Sequence, residues 1–196
     1  MIRREYLKTL TIHGIDPNFF GKIQWRDYNL TFDDGLFSQY YYWPLLKGIP
    51  ITKIFFITTN LIGIDGLGKR KKWKGKMQEF PDCFEALDDY RETGNRENYM
   101  RLEELQDIMQ EHNVVIGGHG HNHIKYYHNR IQIEQDIISM MDWFEKHLAM
   151  RPKYYAYPHY VNPVGMDAIL KKHGIEKTFG GWRIEIEQEI NILSNV

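Results

Sequence analysis

Residues 52–59, Thr-Lys-Ile-Phe-Phe-Ile-Thr-Thr, are apolar or β-branched almost throughout. A strand with one face in water alternates in polarity. A strand covered on both faces does not, and such strands belong to parallel sheets flanked by helices. The preceding chain agrees with this. In residues 28–32, Tyr28, Leu30 and Phe32 alternate with Asn29 and Thr31, which predicts a strand. Residues 37–46 carry aromatic and apolar side chains at helical spacing and stop at Lys47-Gly48-Ile49-Pro50, a helix C-terminal signal. Strand, helix, strand in this order is a parallel crossover unit, so the expected class is α/β.

The rest of the chain extends the pattern. Residues 7–15 predict a short strand, with Leu10 and Ile12 alternating with Thr11 and His13 before Gly14 and Asp16-Pro17-Asn18 end it. Residues 100–111 predict an amphipathic helix and residues 114–116 a buried strand. A helix is expected over 131–148, with Ile133, Ile137, Met140, Met141 and Phe144 on its buried side. A strand at 154–157 closed by Pro158, a helix at 164–173 ended by Gly174, and strand-like alternation within 178–196 complete the reading. Residues 63–99 differ in kind. Glycines at 63, 66 and 68 lead into Lys69-Arg70-Lys71-Lys72-Trp73-Lys74-Gly75-Lys76, followed by an acidic stretch over 85–92. This is too long for an ordinary connection and is expected to be an insertion. Its basic run reads as a solvated face; the functional alternative is contact with an anionic substrate or lipid head group, with Trp73 stacking or interfacial. No repeat or linker divides the chain, so residues 1–196 are expected to form a single domain.

Composition narrows the function classes. The 25 basic and 26 acidic residues nearly cancel, which argues against a nucleic-acid partner. The single cysteine, Cys83, rules out an internal disulfide. No stretch approaches the ~20 apolar residues of a membrane helix, and the charged amino terminus is not followed by an apolar export segment. The expectation is a soluble, cytoplasmic protein with peripheral membrane contact left open.

The chemistry concentrates in two places. Thr31-Phe32-Asp33-Asp34-Gly35 ends a predicted strand in two adjacent carboxylates and a turn. Like charges this close resist joint ionisation unless a positive group lies beside them. A divalent cation would serve, with one Asp as ligand and the other free as a base. By itself such a sequence is also a common polar turn. The second place is Gly117-Gly118-His119-Gly120-His121-Asn122-His123, directly after a buried strand. If extended geometry continues, all three histidines share a face; if the chain turns helically, His119 and His123 share one and His121 points elsewhere. Neutral imidazole is the commonest transition-metal ligand, and three protein ligands plus water make a catalytic metal site.

These two motifs resemble those of the carbohydrate esterase family 4 polysaccharide deacetylases, the NodB homology domain. The resemblance implies that Asp33 is the catalytic base, that Asp34, His119 and His123 are the metal ligands, and that His121 is not one. Gly120 replaces the family's Ser/Thr. Tyr155-Ala156-Tyr157-Pro158-His159 resembles the third motif, with Ala156 where many members carry Arg and His159 where an aromatic is usual. A backbone N–H at His159 would keep the oxyanion-binding role, and Tyr157 and Trp182 join it as candidates for oxyanion and substrate contact. The family's usual carboxyl-terminal Leu-x-Leu-His is missing. Leu10-Thr11-Ile12-His13 is similar instead to the amino-terminal acid-bearing strand of a subgroup, with Ile12 in place of Tyr, which makes His13 the expected general acid.

The resemblance implies a distorted, incomplete (β/α) barrel with the site at the carboxyl ends of its strands. It implies one divalent ion, zinc first, with cobalt, nickel or manganese also admitted by the O,N,N donor set. The activity implied is hydrolytic removal of an N-acetyl group from an amino sugar. The substrate would be a glycan, a lipid-linked intermediate or a nucleotide sugar of surface polysaccharide or lipopolysaccharide biosynthesis. Two other readings stand beside it: a non-catalytic, metal-containing carbohydrate-binding protein of the same fold, and a metal hydrolase of a non-sugar amide.

Overall fold

Six strands lie side by side in chain order, and every neighbouring pair is parallel. They were traced in a computed structural model that describes residues 8–15, 28–64, 80–124 and 130–180. The strands are β1 (Lys8–Ile12), β2 (Tyr28–Asp34), β3 (Lys53–Ile57), β4 (Val114–Gly118), β5 (Tyr154–Ala156) and β6 (Lys177–Phe179). Helices fill the crossovers: α1 (Phe37–Tyr41), α2 (Trp43–Lys47), α3 (Cys83–Thr93), α4 (Leu102–Ile108), α5 (Arg130–Leu148) and α6 (Met166–Lys172). None of the described helices is long and apolar enough to cross a membrane.

All five residues of β3 are buried, as their composition requires. One face of the sheet packs Leu30, Phe32, Phe55 and Ile57 into the main core, together with Ile137, Met140 and Phe144 of α5. The opposite face carries Ile54, Phe56, Ala156 and Phe179 in a second cluster. On that face Thr11 and Thr31 share a hydrogen bond of 2.8 Å between β1 and β2. The sheet is curled into a half-barrel. In a flat sheet, β1 and β5 would lie about 19 Å apart, four strand spacings, yet the ring of His13 after β1 is 6.4 Å from that of Tyr160 after β5. This is the incomplete (β/α) barrel that the motifs imply.

Two local readings change. The helix expected over 37–46 is two short helices broken at Tyr42, because Pro44 enters the second at its first turn. Proline has no N–H to give and its ring crowds the preceding turn, so the first helix stops before it. The acidic stretch after the basic run is a helix, α3. Asp82 caps it by accepting from the backbone N–H groups of Phe84 and Glu85, and Glu85 accepts from the N–H of Asp82. Asp-x-x-Glu before a helix is a capping box, a signal present in the sequence but hidden by the charge run around it. Helix α3 packs Ala86 and Leu87 against Leu36, Leu61 and Tyr99 in a satellite cluster beside the site. The basic run at 69–76 and most of the 178–196 segment lie outside the described residues.

The register of the sheet places the two motifs. Asp34 pairs with Ile57, and Ile57 with Gly118, so the ends of β2, β3 and β4 are level. Asp34 and His119 therefore emerge from the same edge, with one strand between them. The glycines that end β4 are required by packing: a Cβ on Gly117 would lie 2.6 Å from the Phe56 ring and 2.9 Å from the carbonyl of Tyr154.

Candidate active site

Asp33 lies on the barrel-facing side of β2 and is almost wholly buried. Strand alternation would send the next side chain to the opposite face, but Asp34 has φ 70°, and Gly35 continues the turn at φ 79°. The left-handed residue at the strand end keeps both carboxylates at the site. His123, His159 and Tyr160 also have positive φ, at 51°, 55° and 57°. Four of the five non-glycine residues with positive φ among those described thus sit around one point, each costing roughly 1–3 kcal/mol that the surrounding packing sustains.

At that point, Nε2 of His123 lies 3.1 Å and Nε2 of His119 3.4 Å from Oδ1 of Asp34. His119 Nδ1 is 2.8 Å from the carbonyl oxygen of Ala156. A carbonyl can only accept, so Nδ1 carries the proton and Nε2 presents a lone pair to Asp34. Burial, then the neighbouring His123, push the His119 pKa down to about 4, against the opposing pull of the two aspartates, so the ring is neutral near pH 7. Burial alone would raise the Asp34 carboxyl; the charge and hydrogen bond of His123 outweigh it and hold the carboxyl well below the usual carboxylate range. A carboxylate oxygen facing the lone pair of a neutral imidazole is repulsive unless a cation lies between them. The ligand atoms of Asp34, His119 and His123 all lie within 4.8 Å of one another. This donor set fits a divalent metal ion, with two imidazoles, one carboxylate and room for further ligands.

His121 is not part of the cluster. Its Nδ1 is 2.7 Å from the Thr59 hydroxyl, so of the two geometries open to the histidine run the chain takes the turning one. Nε2 of His13, part-exposed, is 3.9 Å from Oδ2 of Asp33. The ring of His159 packs on that of His123 with centroids 4.5 Å apart. Tyr157 is placed elsewhere: it is buried against Tyr155 and its hydroxyl donates to Asp167, so it supports the site from the core. Trp182 lies outside the described residues.

Three residues that sequence reasoning passed over belong to the site. Gln39, fully buried on α1, donates from Nε2 to the backbone carbonyls of Asp33 (2.7 Å) and His13 (2.9 Å), tying the ends of β1 and β2 together. Asp136 of α5 accepts from the backbone N–H groups of His121 (2.8 Å) and Asn122 (3.0 Å) and from the Asn122 side chain (2.9 Å). Its signal was available, since a carboxylate at 136 interrupts the apolar stripe of Ile133, Ile137 and Met140. Cys83, at the first turn of α3, forms a second cluster with His13 and Asp34 within the same 4.8 Å. Burial, then Asp34 and Asp82, push its thiol up to about 12, so it is protonated and a poorer metal ligand than either imidazole.

Comparison with known proteins accords with this geometry. The family model described as polysaccharide deacetylase matches residues 24–178. No curated protein matches the sequence. Among solved structures, the chain is similar to IcaB from Ammonifex degensii, with a TM-score of 0.65, 16% identity and 95% of each chain covered. It is similar to the polysaccharide deacetylase BC0361 from Bacillus cereus, with a TM-score of 0.62 and 12% identity over 95% of this chain and 68% of that one. The deacetylase domain of BpsB from Bordetella bronchiseptica superposes with a TM-score of 0.56 and 16% identity over 79% of this chain and 63% of that one. At such identities the likeness to these structures is one of fold. With its two motifs meeting at the carboxyl edge of a curled parallel sheet and a family match over most of its length, the chain belongs to the polysaccharide deacetylase family.

Proposed function

We propose that the protein hydrolyses the N-acetyl group of an amino sugar in a glycan or glycan precursor, with a divalent metal ion, zinc first, held by Asp34, His119 and His123. The observation that supports this reading is that Asp33 and His13 lie beside the ligand cluster, 3.9 Å from one another, and we assign them the roles of base and acid.

Bound there, a divalent ion would polarise the acetamide carbonyl and make water easier to deprotonate. The protein's own groups do the rest. Asp33, next to Asp34 but outside the ligand set, takes the proton from the attacking water. We assign the backbone N–H at His159, a residue at φ 55°, to the oxygen that becomes negative as the carbonyl carbon turns tetrahedral. His13 gives a proton to the nitrogen as the C–N bond breaks, so that acetate and a free amino sugar leave. Gln39 keeps acid and base together by bonding the backbone of both. The carbonyl of Ala156 fixes the His119 tautomer.

The substrate we favour is an anionic precursor of surface polysaccharide or lipopolysaccharide met in the cytoplasm. The test is release of acetate and free amine from N-acetylated oligosaccharides, sugar nucleotides and lipid-linked sugars by the zinc-loaded protein. Release by wild type and its loss in Asp33→Asn supports the reading. Zinc binding without release from any of the three classes would favour a carbohydrate-binding protein of the same fold.

A further inference from the structure

Behind the loop that carries the two histidine ligands lies a cavity of about 420 Å³, between α5 and the turn that follows β3. Arg96, His121, Trp143, Lys146 and His147 line it, and Asp142 is the one carboxylate among its lining residues. The guanidinium of Arg96 is fixed in place: Nε donates to the Asn60 carbonyl at 2.8 Å, and Nη2 to the Asn60 side chain at 3.2 Å. It also lies over the Tyr90 ring, 5.2 Å from its centre. These partners are neutral. Neither Arg96 nor Lys146 forms a salt bridge with a described residue, although other surface cations, Lys47, Arg151 and Lys172, each pair with a glutamate. Two cations, one of them pre-oriented, thus line one cavity against a single carboxylate, Asp142, and two imidazoles stand beside them.

We propose that this cavity binds a phosphate ester. With Nε and Nη2 of Arg96 engaged by Asn60 and Tyr90, Nη1 keeps two N–H donors for phosphate oxygens, and the Lys146 ammonium adds a second cation on the same cavity. The volume exceeds what a bare phosphate needs and falls in the range of small-molecule sites, leaving space for a sugar-sized group. The cavity is distinct from the reaction centre but coupled to it. His121 lines its wall and lies two residues from both His119 and His123, and its backbone N–H and ring are held by Asp136 and Thr59. An occupant that contacts His121 therefore touches the loop that sets the ligand geometry. The binding site stands whether or not the chain deacetylates.

The test is an NMR titration of the zinc-loaded protein at low ionic strength with inorganic phosphate, N-acetylglucosamine 1-phosphate and neutral N-acetylglucosamine. The Arg96 Nε–H and Trp143 indole resonances are the readouts, since they report this cavity and not the metal site. Both phosphates should shift these signals in a saturable way and the neutral sugar should not. The Arg96→Gln/Lys146→Gln double variant should bind about tenfold more weakly or worse, having lost two charged donors. The exposed Lys171→Gln variant should bind as wild type does. Because Lys146 is exposed, Lys146→Gln alone tests the site in a folded protein. Tighter binding of the sugar phosphate assigns the cavity to a phosphorylated sugar, and equal binding assigns it to a free phosphate group. Phosphate that leaves both resonances unmoved, or that binds the variants as tightly as wild type, overturns the proposal.

Discussion

Replacing Asp136 with alanine tests whether α5 positions the metal ligands from behind. Its side chain is almost fully buried and takes three hydrogen bonds of 2.8–3.0 Å from the 121–122 segment. Bonds to a charged acceptor contribute about 1.5–3 kcal/mol each, so three amount to roughly 5–9 kcal/mol if simply added. Removing the carboxylate also removes the cost of keeping it out of water, which returns part of that sum and leaves about 3–4 kcal/mol. For a chain of this size that is a fall in Tm of roughly 10 °C. The more specific consequence is at His123, whose φ of 51° is held by the loop that Asp136 anchors. Zinc affinity, measured by competition with a chromophoric chelator, should fall about 10–100-fold, as it does when groups supporting the ligands are lost. Asp136→Asn keeps one acceptor oxygen but turns a donor toward the loop, so both effects should be intermediate. A Tm that drops as expected while zinc affinity stays unchanged in both variants would show that Asp136 stabilises the fold without setting the ligand geometry.

Asp33→Asn should keep zinc and fold but lose about 10²–10⁴ in kcat, the usual contribution of a general base; activity near that of wild type would remove Asp33 from the role. The profile of kcat/KM against pH should be bell-shaped, and His13→Asn should abolish its alkaline limb. If His159→Asn removes that limb instead, the acid is His159. The metal-free protein should lose stability as pH falls from 6.5 toward 4. His119 is pushed down to about 4 in the fold, so over that window the unfolded chain binds the extra proton. Asp34, held below its ordinary value, prolongs the loss at lower pH. His119→Gln should flatten the upper part of a urea-denaturation series taken across this range, and an unchanged slope would contradict the assignment. Gly117→Ala should cost about 1–3 kcal/mol in the same assay, because its new methyl group meets the Phe56 ring and the Tyr154 carbonyl.

Residues 52–59 by themselves required a strand covered on both faces, and hence helices over a parallel sheet, because periodicity is a local property of the chain. The Asp33-Asp34 pair and the spacing of His119 and His123 were legible for the same reason: motif, turn and donor type all lie within a few residues. The sequence left the histidine run with two geometries. Only the fold chose between them, through the Thr59 hydroxyl that takes His121 and the Asp136 carboxylate that turns the loop. The meeting of His13 with Asp33 depends on the β1–β2 register, which pairs Ile12 with Phe32, and on Gln39 bonding both backbones. That Tyr160 reaches His13 depends on the curl of the sheet. Cys83 arrives beside Asp34 because α3 docks through Ala86 and Leu87 onto Leu36 and Leu61. These contacts join residues far apart in the chain. A local pattern fixes which face a side chain takes but not how far the sheet bends or which helix closes over it, so they were decided by tertiary packing alone.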